Sequence, residues 1–538
     1  MNKKLKRIVT SAVALTIVTT MFAGCGSKAS KDTSAAGSGK TGTVSYPIKT
    51  DAKLTYFLPI NANVAFSKKN LGETEFAKEL EKETGIKVEY KHPVAGQEKE
   101  KFNLMLASGD LPDLMESDWS NFPGGPEKAI KDGSIIKLNE YIDKYAPNLK
   151  KFLKDHPEID KACKTDAGNY YMFPFIRGDE YLTTYYGPVM REDWLKELNL
   201  QVPTTMDEWE NVLKEFKDKK GATAPLSFNF QEMFGAFAGA YGATYNTGVG
   251  NGYLVKDGKV TYTPIQPGFK EFVTTLNKWY KAGLLDKNFA TVDKKIQSSN
   301  VLSGKSGATL AYCGGDIGTW VNAMKDKDPK FKLVGVPYPS LNKGDKAVTG
   351  QKQSMATGQG VAISGKCKNI EAAVRYLDYG YSKEGMNLYN FGIKGTSYTI
   401  ENGKPVYTDL IKKNPNKLSM AQAMSLYMRT YSGPFVQSKD YIDNYYQLSE
   451  QREAIKAWVN TDAAKTMLPS ISAKPEETSE LSKLESQIST YTDEMFLKFV
   501  MGQEPITNFD KYVSQVNKMG IDKVLKIKQD ALARYNKR

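Results

Sequence analysis

Short apolar runs alternate with segments of helical periodicity in the first part of the chain. The runs have the length and composition of buried strands, and the segments between them place apolar side chains on one helical face. The elements predicted in this order are strand Leu54–Ile60, helix Glu73–Thr84 with Gly85 as its stop, strand Lys87–Tyr90, helix Lys99–Ser108 and strand Leu111–Glu116. This β-α-β-α-β order predicts a mainly parallel sheet with helices on both faces.

A second α/β region begins near Tyr185. Thr205 and Glu208 have the spacing of a capping box, which predicts the start of a helix. Its predicted buried face is Trp209, Val212, Leu213 and Phe216. Further predicted elements are helix Gly268–Ala282, strands Ala308–Cys313, Lys332–Val336 and Gly360–Ile363, helix Ile370–Tyr379, and a helical region from Asn402 that ends with Asp522–Tyr535.

The first fifty residues have the pattern of an export signal and a tether. Basic residues precede an apolar run over Ile8–Phe22, which is shorter than a membrane span. Ala23, Gly24 and Cys25 follow, and a small-small-Cys junction resembles a bacterial lipobox, which predicts cleavage before Cys25 and lipidation of its thiol. Residues 26–50 are rich in Gly, Ser, Thr and Lys, which predicts a flexible tether to the outer face of the cytoplasmic membrane.

Composition indicates a globular body and argues against nucleic-acid binding. Apolar residues make up 40% of the chain, enough for a sizeable core. The formal net charge is +13, but more than half of it belongs to the leader and tether. The body carries no dense basic stripe, so its modest basic surplus is compatible with an anionic lipid surface or an acidic sugar and does not predict a nucleic-acid partner.

Cysteine and histidine usage argues against a metal centre. Cys163, Cys313 and Cys367 form no CxxC motif and are expected to be buried and apolar, although one disulfide stays possible. His92 and His156 each directly precede a proline. The segment Phe216–Leu226 lacks the alternating oxygen ligands of a calcium loop. Neither a metal nor a cofactor is expected, and no HExxH or GxSxG motif indicates an enzyme.

A succession of segments resembles the carbohydrate-uptake type of extracellular solute-binding protein, in particular its large LipO-like lipoprotein branch. The segments are Glu83–Tyr90, Met105–Glu116, Thr184–Leu198, Val202–Trp209, Ser303–Trp320, Phe391–Gly403 and Met519–Tyr535. The resemblance implies an α/β, two-lobed, periplasmic-binding-protein-like (type II) fold, whose chain crosses between lobes two or three times, with an interlobe ligand cleft and a helical C-terminal extension. The implied boundaries are a signal peptide over 1–24, the lipidated Cys and tether over 25–50, lobe 1 over 51–182 plus 350–400, lobe 2 over 183–349, and C-terminal helices over 401–538 that pack on both lobes.

Loops that follow predicted strands supply the candidate ligand-binding residues. Ligands of open α/β sheets bind beyond the carboxyl ends of strands, where a sugar offers hydroxyls to polar groups and apolar faces to aromatic rings. The candidates are Asn61, Asp118, Trp119, Tyr185, Tyr186, Arg191, Glu232, Asp316 and Trp320. Each aromatic candidate is also compatible with core packing, and Arg191 with a pair to Glu192 or Asp193.

The resemblance implies a monomeric receptor that captures an oligosaccharide and passes it to the transmembrane subunits of an ABC permease. Alternatives that the residues leave open are a receptor for a peptide or another polar solute, a sensor that signals to a membrane kinase, and a surface carbohydrate-active enzyme. The last would need a carboxylate pair at catalytic separation, which only a structure can reveal.

Overall fold

Strands gather into two main sheets in the computed structural model, which describes residues 45–233, 235–246, 252–429 and 431–538. Within these ranges the strands are β1 (Lys53–Phe57), β2 (Lys87–Lys91), β3 (Leu114–Asp118), β4 (Phe173–Arg177), β5 (Tyr186–Arg191), β6 (Tyr253–Lys256), β7 (Lys259–Tyr262), β8 (Ala308–Tyr312), β9 (Leu333–Gly335), β10 (Ala356–Ile363), β11 (Tyr398–Glu401), β12 (Lys404–Tyr407) and β13 (Val436–Gln437). The first sheet has the order β13-β4-β10-β3-β1-β2 and the second β8-β5-β9, while β6–β7 and β11–β12 are hairpins.

Helices surround both sheets and make up most of the C-terminal region. In the same ranges they are α1 (Ala62–Ala65), α2 (Glu75–Thr84), α3 (Glu98–Ser108), α4 (Gly125–Lys131), α5 (Asn139–Tyr145), α6 (Pro147–Asp155), α7 (Pro157–Ala162), α8 (Glu192–Glu197), α9 (Met206–Lys220), α10 (Pro267–Lys281), α11 (Lys294–Leu302), α12 (Gly318–Met324), α13 (Ile370–Asp378), α14 (Lys383–Phe391), α15 (Asp409–Lys412), α16 (Met420–Tyr427), α17 (Asp440–Tyr445), α18 (Ser449–Trp458), α19 (Ala463–Thr466), α20 (Pro475–Met501), α21 (Phe509–Lys518) and α22 (Ile521–Asn536).

The first sheet is covered on both faces, as its continuous apolar runs predict. Successive residues of a strand point to opposite faces. Accordingly Tyr56 and Leu114 belong to one hydrophobic core, whereas Phe57 and Met115 belong to another. A sheet with a core on each side leaves only its strand ends and edges for contact with a ligand.

Strand direction departs from the expectation of a mainly parallel sheet. Strand β1 is parallel to both β2 and β3, as predicted. Strand β10, however, lies between β3 and β4 and is antiparallel to both. The second sheet is antiparallel throughout, because β5 pairs antiparallel with β8 and β9. The chain leaves the first sheet at the end of β4 and returns to the same edge after passing through the second sheet. Strand β10 therefore runs in the opposite direction to β4.

The second sheet and the C-terminal helices share one large core. Helix α9 begins with the predicted capping box, in which Thr205 accepts from the Glu208 N–H and Glu208 accepts from the Thr205 N–H. Helix α20 packs on α10, and α22 packs on α20 and β7. Helix α16 instead contacts α1 and α2, beside the first sheet. The C-terminal region therefore contacts the elements of both sheets.

Residues 46–48, which the sequence assigned to the tether, contact the first-sheet half. The Tyr46 hydroxyl donates to the Arg375 carbonyl over 2.7 Å, and its ring packs edge-on against Tyr379. The Ile48 N–H donates to the Thr84 carbonyl over 2.8 Å. The side chains of Tyr46 and Ile48 also pack against the hydrophobic core of the first sheet, so residues 46–48 are held on that half of the molecule. The predicted leader and Cys25 lie outside the described residues.

Segments of chain that cross between the sheets are tied to one another. The chain crosses after β4, again before β10, and a third time after β13, which leads to α18 packed on β9. Arg177, at the end of β4, donates to Gln353 over 2.9 Å and to Gln437 over 3.2 Å. Because these three residues lie on the three different crossings, the guanidinium ties them together.

Candidate functional site

A cleft of about 1320 Å³ lies between the strand ends of the first sheet and helices α16, α20 and α22. Its neutral polar lining consists mainly of amides and hydroxyls, which both donate and accept hydrogen bonds. Lining amides are Asn61, Asn63, Asn103, Asn121 and Gln359, and lining hydroxyls include Ser117, Ser120, Ser425, Ser432, Thr478 and Ser482. Aromatic lining comes from Phe57, Phe102, Phe122 and Tyr431. The cleft thus combines neutral hydrogen-bonding groups with ring faces.

Two of the predicted residues, Asn61 and Asp118, line this cleft. Asn61 caps α1 and accepts from the Asn63 N–H over 2.9 Å. Asp118 ends β3, where it accepts from the Ser120 N–H over 3.1 Å and from the Asn121 amide over 3.0 Å. Both residues lie at the carboxyl ends of strands of the first sheet, which is where open α/β sheets bind their ligands.

The neighbouring strand makes room for Asp118 with a glycine. A Cβ atom at Gly358 on β10 would lie only 2.3 Å from Asp118 Oδ1. Real side chains cannot approach so closely, so any larger residue at position 358 would displace the carboxylate or the strand. Gly358 therefore belongs to the architecture of the site, although its sequence context carries no signal for it.

An ion pair that the sequence did not reveal forms part of the cleft wall. Arg429 donates to Glu116 over 2.8 Å and to the Ser432 hydroxyl over 2.8 Å. The Tyr56 hydroxyl donates to the other Glu116 oxygen over 2.7 Å. The side chains of Arg429 and Glu116 are only 10% and 6% exposed. Burial by itself lowers the pKa of Arg429, but the adjacent Glu116 carboxylate outweighs it and holds that pKa above its usual value.

His92 joins two loops at the floor of the cleft. Its Nδ1–H donates to the Leu58 carbonyl over 2.9 Å, and its Nε2 accepts from the Leu71 N–H over 3.0 Å. Burial lowers the pKa of His92 from its ordinary value of 6.5, and the bond to Leu58 offsets only part of that effect. The neutral ring is the form that can accept the Leu71 bond, so His92 acts as a structural tie.

Trp119 was predicted to contact ligand, but the structure buries it. Its side chain is completely buried, with its ring edge-on to Phe102 at 5.6 Å and stacked on Phe122 at 6.0 Å. The two phenylalanines line the cleft and Trp119 does not. Trp119 is therefore a core residue that packs against Phe102 and Phe122. This corrects its predicted role as a residue that stacks on the ligand.

A row of tyrosines leads away from the cleft towards the second sheet. Tyr431 lines the cleft and is 47% exposed. The Tyr441 hydroxyl donates to that of Tyr431 over 2.9 Å, and the Tyr441 ring stacks on Tyr445 at 5.4 Å. Tyr445 in turn packs so closely on Gly314 that a Cβ there would lie 2.5 Å from its ring. Tyr431 was not among the predicted residues, although the Ser-Gly-Pro sequence that follows it predicts a turn.

A second polar group lies at the edge of the second sheet, around Lys294. Its ammonium is 2.6 Å from Asp316 and 3.0 Å from Glu232, and lies 4.6 Å from the ring centre of Tyr312. The Tyr312 ring is stacked parallel to Tyr185 at 6.1 Å. The structure therefore brings together three predicted residues, Tyr185, Glu232 and Asp316, around a lysine that the sequence did not single out.

Three further predicted residues lie in the core or at the opposite sheet edge. Tyr186 is completely buried, and Trp320 is buried with its indole N–H donating to Ser298 over 3.1 Å. Arg191 ends β5 while Tyr186 begins it, so Arg191 lies at the far edge of the sheet. It donates to Asp193 over 2.8 Å and lies over the rings of Trp194 and Phe331. The alternative in which Arg191 pairs with Asp193 is the arrangement observed.

Cys163, Cys313 and Cys367, the cysteines within the described ranges, are free and buried, as the sequence predicted. Burial raises the pKa of the Cys367 thiol to about 12 and also raises those of Cys163 and Cys313. In the segment Phe216–Leu226, which lacks the ligand pattern of a calcium loop, Lys217 donates to the Ala282 carbonyl over 2.6 Å. Within the described ranges, no cluster of three or more acidic, His or Cys side chains has the arrangement of a metal site. Helices in those ranges also include none long and apolar enough to cross a membrane.

Comparison with known proteins finds one matching family and relatives that align with most of the chain. A model of the family described as bacterial extracellular solute-binding protein matches residues 68–387. The chain is 26% identical to the fructooligosaccharide ABC transporter substrate-binding protein FusA of Streptococcus pneumoniae, over 99% of both chains. It is 24% identical to the polygalacturonan/rhamnogalacturonan-binding protein YtcQ of Bacillus subtilis, over 84% of this chain and 87% of that one.

Solved structures share the architecture. The alginate-binding protein AlgQ2, crystallised without calcium ion, superposes with a TM-score of 0.70 at 26% identity, over 89% of this chain and 97% of that one. An extracellular solute-binding protein from Bifidobacterium longum subsp. infantis has a TM-score of 0.73 at 21% identity, over 90% and 98% of the two chains. The two-lobed α/β fold predicted from the sequence is confirmed, while the exact lobe boundaries stay a prediction.

Proposed function

Because the chain belongs to the bacterial extracellular solute-binding protein family, we propose that it captures an oligosaccharide and delivers it to an ABC importer. The observation that carries this proposal is the cleft of about 1320 Å³, with its lining of amides, hydroxyls and aromatic rings. Sugar hydroxyls pair with such amides, and the apolar faces of sugar rings pack on aromatic side chains. The names of FusA and YtcQ, which specify oligo- and polysaccharide ligands, support the same ligand class.

The ligand runs, in this proposal, from the first-sheet cleft past Tyr431 towards the group around Lys294. Asn61 and Asp118 hydrogen-bond one end, and Tyr431 stacks on a sugar ring. Tyr185, Glu232 and Asp316 contact the other end. A ligand that touches both halves stabilises their closed arrangement, because those contacts are made together only when the lobes close. The crossings tied by Arg177 are the hinge about which the halves move.

In this proposal the protein holds its ligand without cleaving it, in contrast to the surface-enzyme alternative. A glycosidase needs two carboxyl groups free to act as acid and as nucleophile or base. Among the described lining residues, Glu116 is engaged by Arg429 and Tyr56, and Glu485 by Lys528 at 2.8 Å. Asp118 is engaged by its own loop, and Glu98 accepts from the Gly96 N–H over 2.9 Å. These carboxylates are thus committed to the wall of the cleft.

The same proposal places the protein on the outer face of the cytoplasmic membrane as a lipid-anchored monomer. Cleavage before Cys25 leaves a thiol for a diacylglyceryl group, and the segment up to Tyr46 tethers the body near the permease. The test is metabolic labelling with radioactive palmitate. Label should appear in wild type and be absent from Cys25→Ala, whereas label retained in that variant would contradict the anchor.

Binding is tested by a thermal-shift screen of residues 45–538 with oligosaccharides, and with peptides as the comparison. A ligand at 100 times its Kd should stabilise the folded state by ~2.7 kcal/mol. Tyr431→Ala should weaken binding by about tenfold, equivalent to ~1.4 kcal/mol, while Tyr431→Phe keeps the ring and should bind like wild type. Stabilisation by peptides alone would refute the proposal, and recovery of a shortened sugar would identify an enzyme instead.

A further inference from the structure

Charges around the cleft balance, although the whole chain is strongly basic. The described basic residues that line it are Lys99, Lys128, Arg429 and Lys528. The described acidic residues that line it are Glu98, Glu116, Asp118 and Glu485. His92 adds no charge at neutral pH, because burial lowers its pKa from 6.5. The positive surplus of the chain therefore lies elsewhere.

The buried cations of the cleft wall already have carboxylate partners. Arg429 pairs with Glu116 at 2.8 Å, and Lys528 pairs with Glu485 at 2.8 Å. The four side chains of these two pairs are each 12% exposed or less. A guanidinium or ammonium that already has a buried carboxylate partner offers little to the carboxylate of a ligand.

The second-sheet group is equally unsuited to an anion. Lys294 contacts both Glu232 and Asp316, so this group has one more negative charge than positive. Arg177 offsets that charge near Tyr185, since its guanidinium lies 5.3 Å from the centre of that ring. The guanidinium donates hydrogen bonds to the side-chain oxygens of Gln353 and Gln437, which hold it within the crossings. The formal charges of the cleft lining therefore sum to zero, and so do those of Lys294 and Arg177 with Glu232 and Asp316.

From this balance we infer that the ligand is an uncharged oligosaccharide and not one built from uronic acids. The inference rests on the proposed function and narrows its substrate class. A uronate entering the cleft would lose the hydration of its carboxylate, and the buried cations that it would meet already have carboxylate partners, which is unfavourable. A neutral sugar offers only hydroxyls, ring oxygens and C–H faces, which match the amides, hydroxyls and rings of the lining.

The test compares neutral and acidic oligosaccharides of matched length by titration calorimetry on residues 45–538. Fructo-, xylo- and manno-oligosaccharides are the neutral probes, and oligogalacturonates and oligoalginates are the acidic ones. We expect saturable binding of a neutral series, with uronates about a hundredfold weaker. Tighter binding of uronates would overturn the inference and leave the proposed function standing. Binding of peptides with no sugar bound would overturn both.

A charge-neutralising variant tests the physical cause directly. Glu485→Gln keeps the size of the side chain but leaves Lys528 without its carboxylate, so affinity for oligogalacturonate should rise by about tenfold. Glu480→Gln is the matched control, because Glu480 lies on the same helix but is 51% exposed and pairs with Lys523 outside the cleft lining. Its affinity should equal that of wild type. A Glu485→Gln variant that rejects uronates as strongly as wild type would overturn the charge-pairing explanation.

Discussion

Replacing Glu116 with glutamine should destabilise the protein more than any exposed charge substitution. Glutamine keeps the shape and can still accept from the Tyr56 hydroxyl, but Arg429 is then left buried without a counter-charge. Its side chain is only 10% exposed, so water cannot replace the lost carboxylate. Removing one partner of a buried pair costs about 3–5 kcal/mol, so we expect Glu116→Gln to lower the free energy of unfolding by about 4 kcal/mol.

The magnitude translates into a measurable thermal shift. With an unfolding entropy of about 2.1 cal/mol/K per residue, a body of roughly 500 residues should lose about 4 °C in Tm. Scanning calorimetry measures the shift, and urea denaturation monitored by far-UV circular dichroism gives the free energy independently. Both measurements are made without ligand, so that binding effects do not contribute.

Two control variants separate charge from general disturbance. Asp530→Asn breaks the exposed pair between Asp530 and Lys526, which are 49% and 76% exposed, and should leave Tm and the denaturation midpoint unchanged. Glu116→Gln combined with Arg429→Met removes both charges, so it should recover much of the loss. A single variant Glu116→Gln within about 0.5 kcal/mol of wild type, with its fold intact, would refute the reasoning.

Other regions of the molecule allow further tests. The thiols should be unreactive towards DTNB in the native state and titrate fully in guanidinium, and rapid native labelling would contradict their burial; they are Cys163, Cys313 and Cys367. Gly187→Ala should lower stability by about 1–3 kcal/mol, since its Cβ would lie 2.6 Å from the Trp458 indole, and an unchanged denaturation midpoint would contradict this packing. His92 has a folded pKa below its unfolded value of 6.5, so the stability it contributes is present above pH 6.5 and lost as the pH falls through the lower folded pKa. Wild type should therefore lose more unfolding free energy than His92→Asn between pH 7 and 5, and parallel losses in the two proteins would contradict the assignment.

Local structure was largely predictable because its causes are local. The capping box at Thr205 and the helix stop at Gly85 depend on residues within one or two turns, and both are observed. The apolar strand runs predicted a sheet covered on both faces, which the two cores of the first sheet bear out. The antiparallel insertion of β10 was missed, because strand order depends on how distant segments return to the sheet.

Candidate binding residues were predictable only in part. Strand-end loops singled out Asn61 and Asp118, which line the cleft, and Glu232 and Asp316, which lie beside Lys294; their contact with ligand stays a prediction. Aromatic residues were the weaker class, since a ring in a loop packs into the core as readily as it faces solvent. Trp119 is an example, because its ring neighbours Phe102 and Phe122 line the cleft while Trp119 itself lies in the core.

The sequence alone determined the export pattern, the alternation of strands and helices, and the resemblance to a receptor family, because each is written in contiguous segments. Only the tertiary structure decided which charges meet. Glu116 and Arg429 are more than three hundred residues apart in the chain, and Lys294 lies far in sequence from both Glu232 and Asp316. A formal net charge of +13 counts residues and ignores their positions. Folding places carboxylates against the buried cations of the cleft wall, and that pairing makes a neutral cleft in a basic protein.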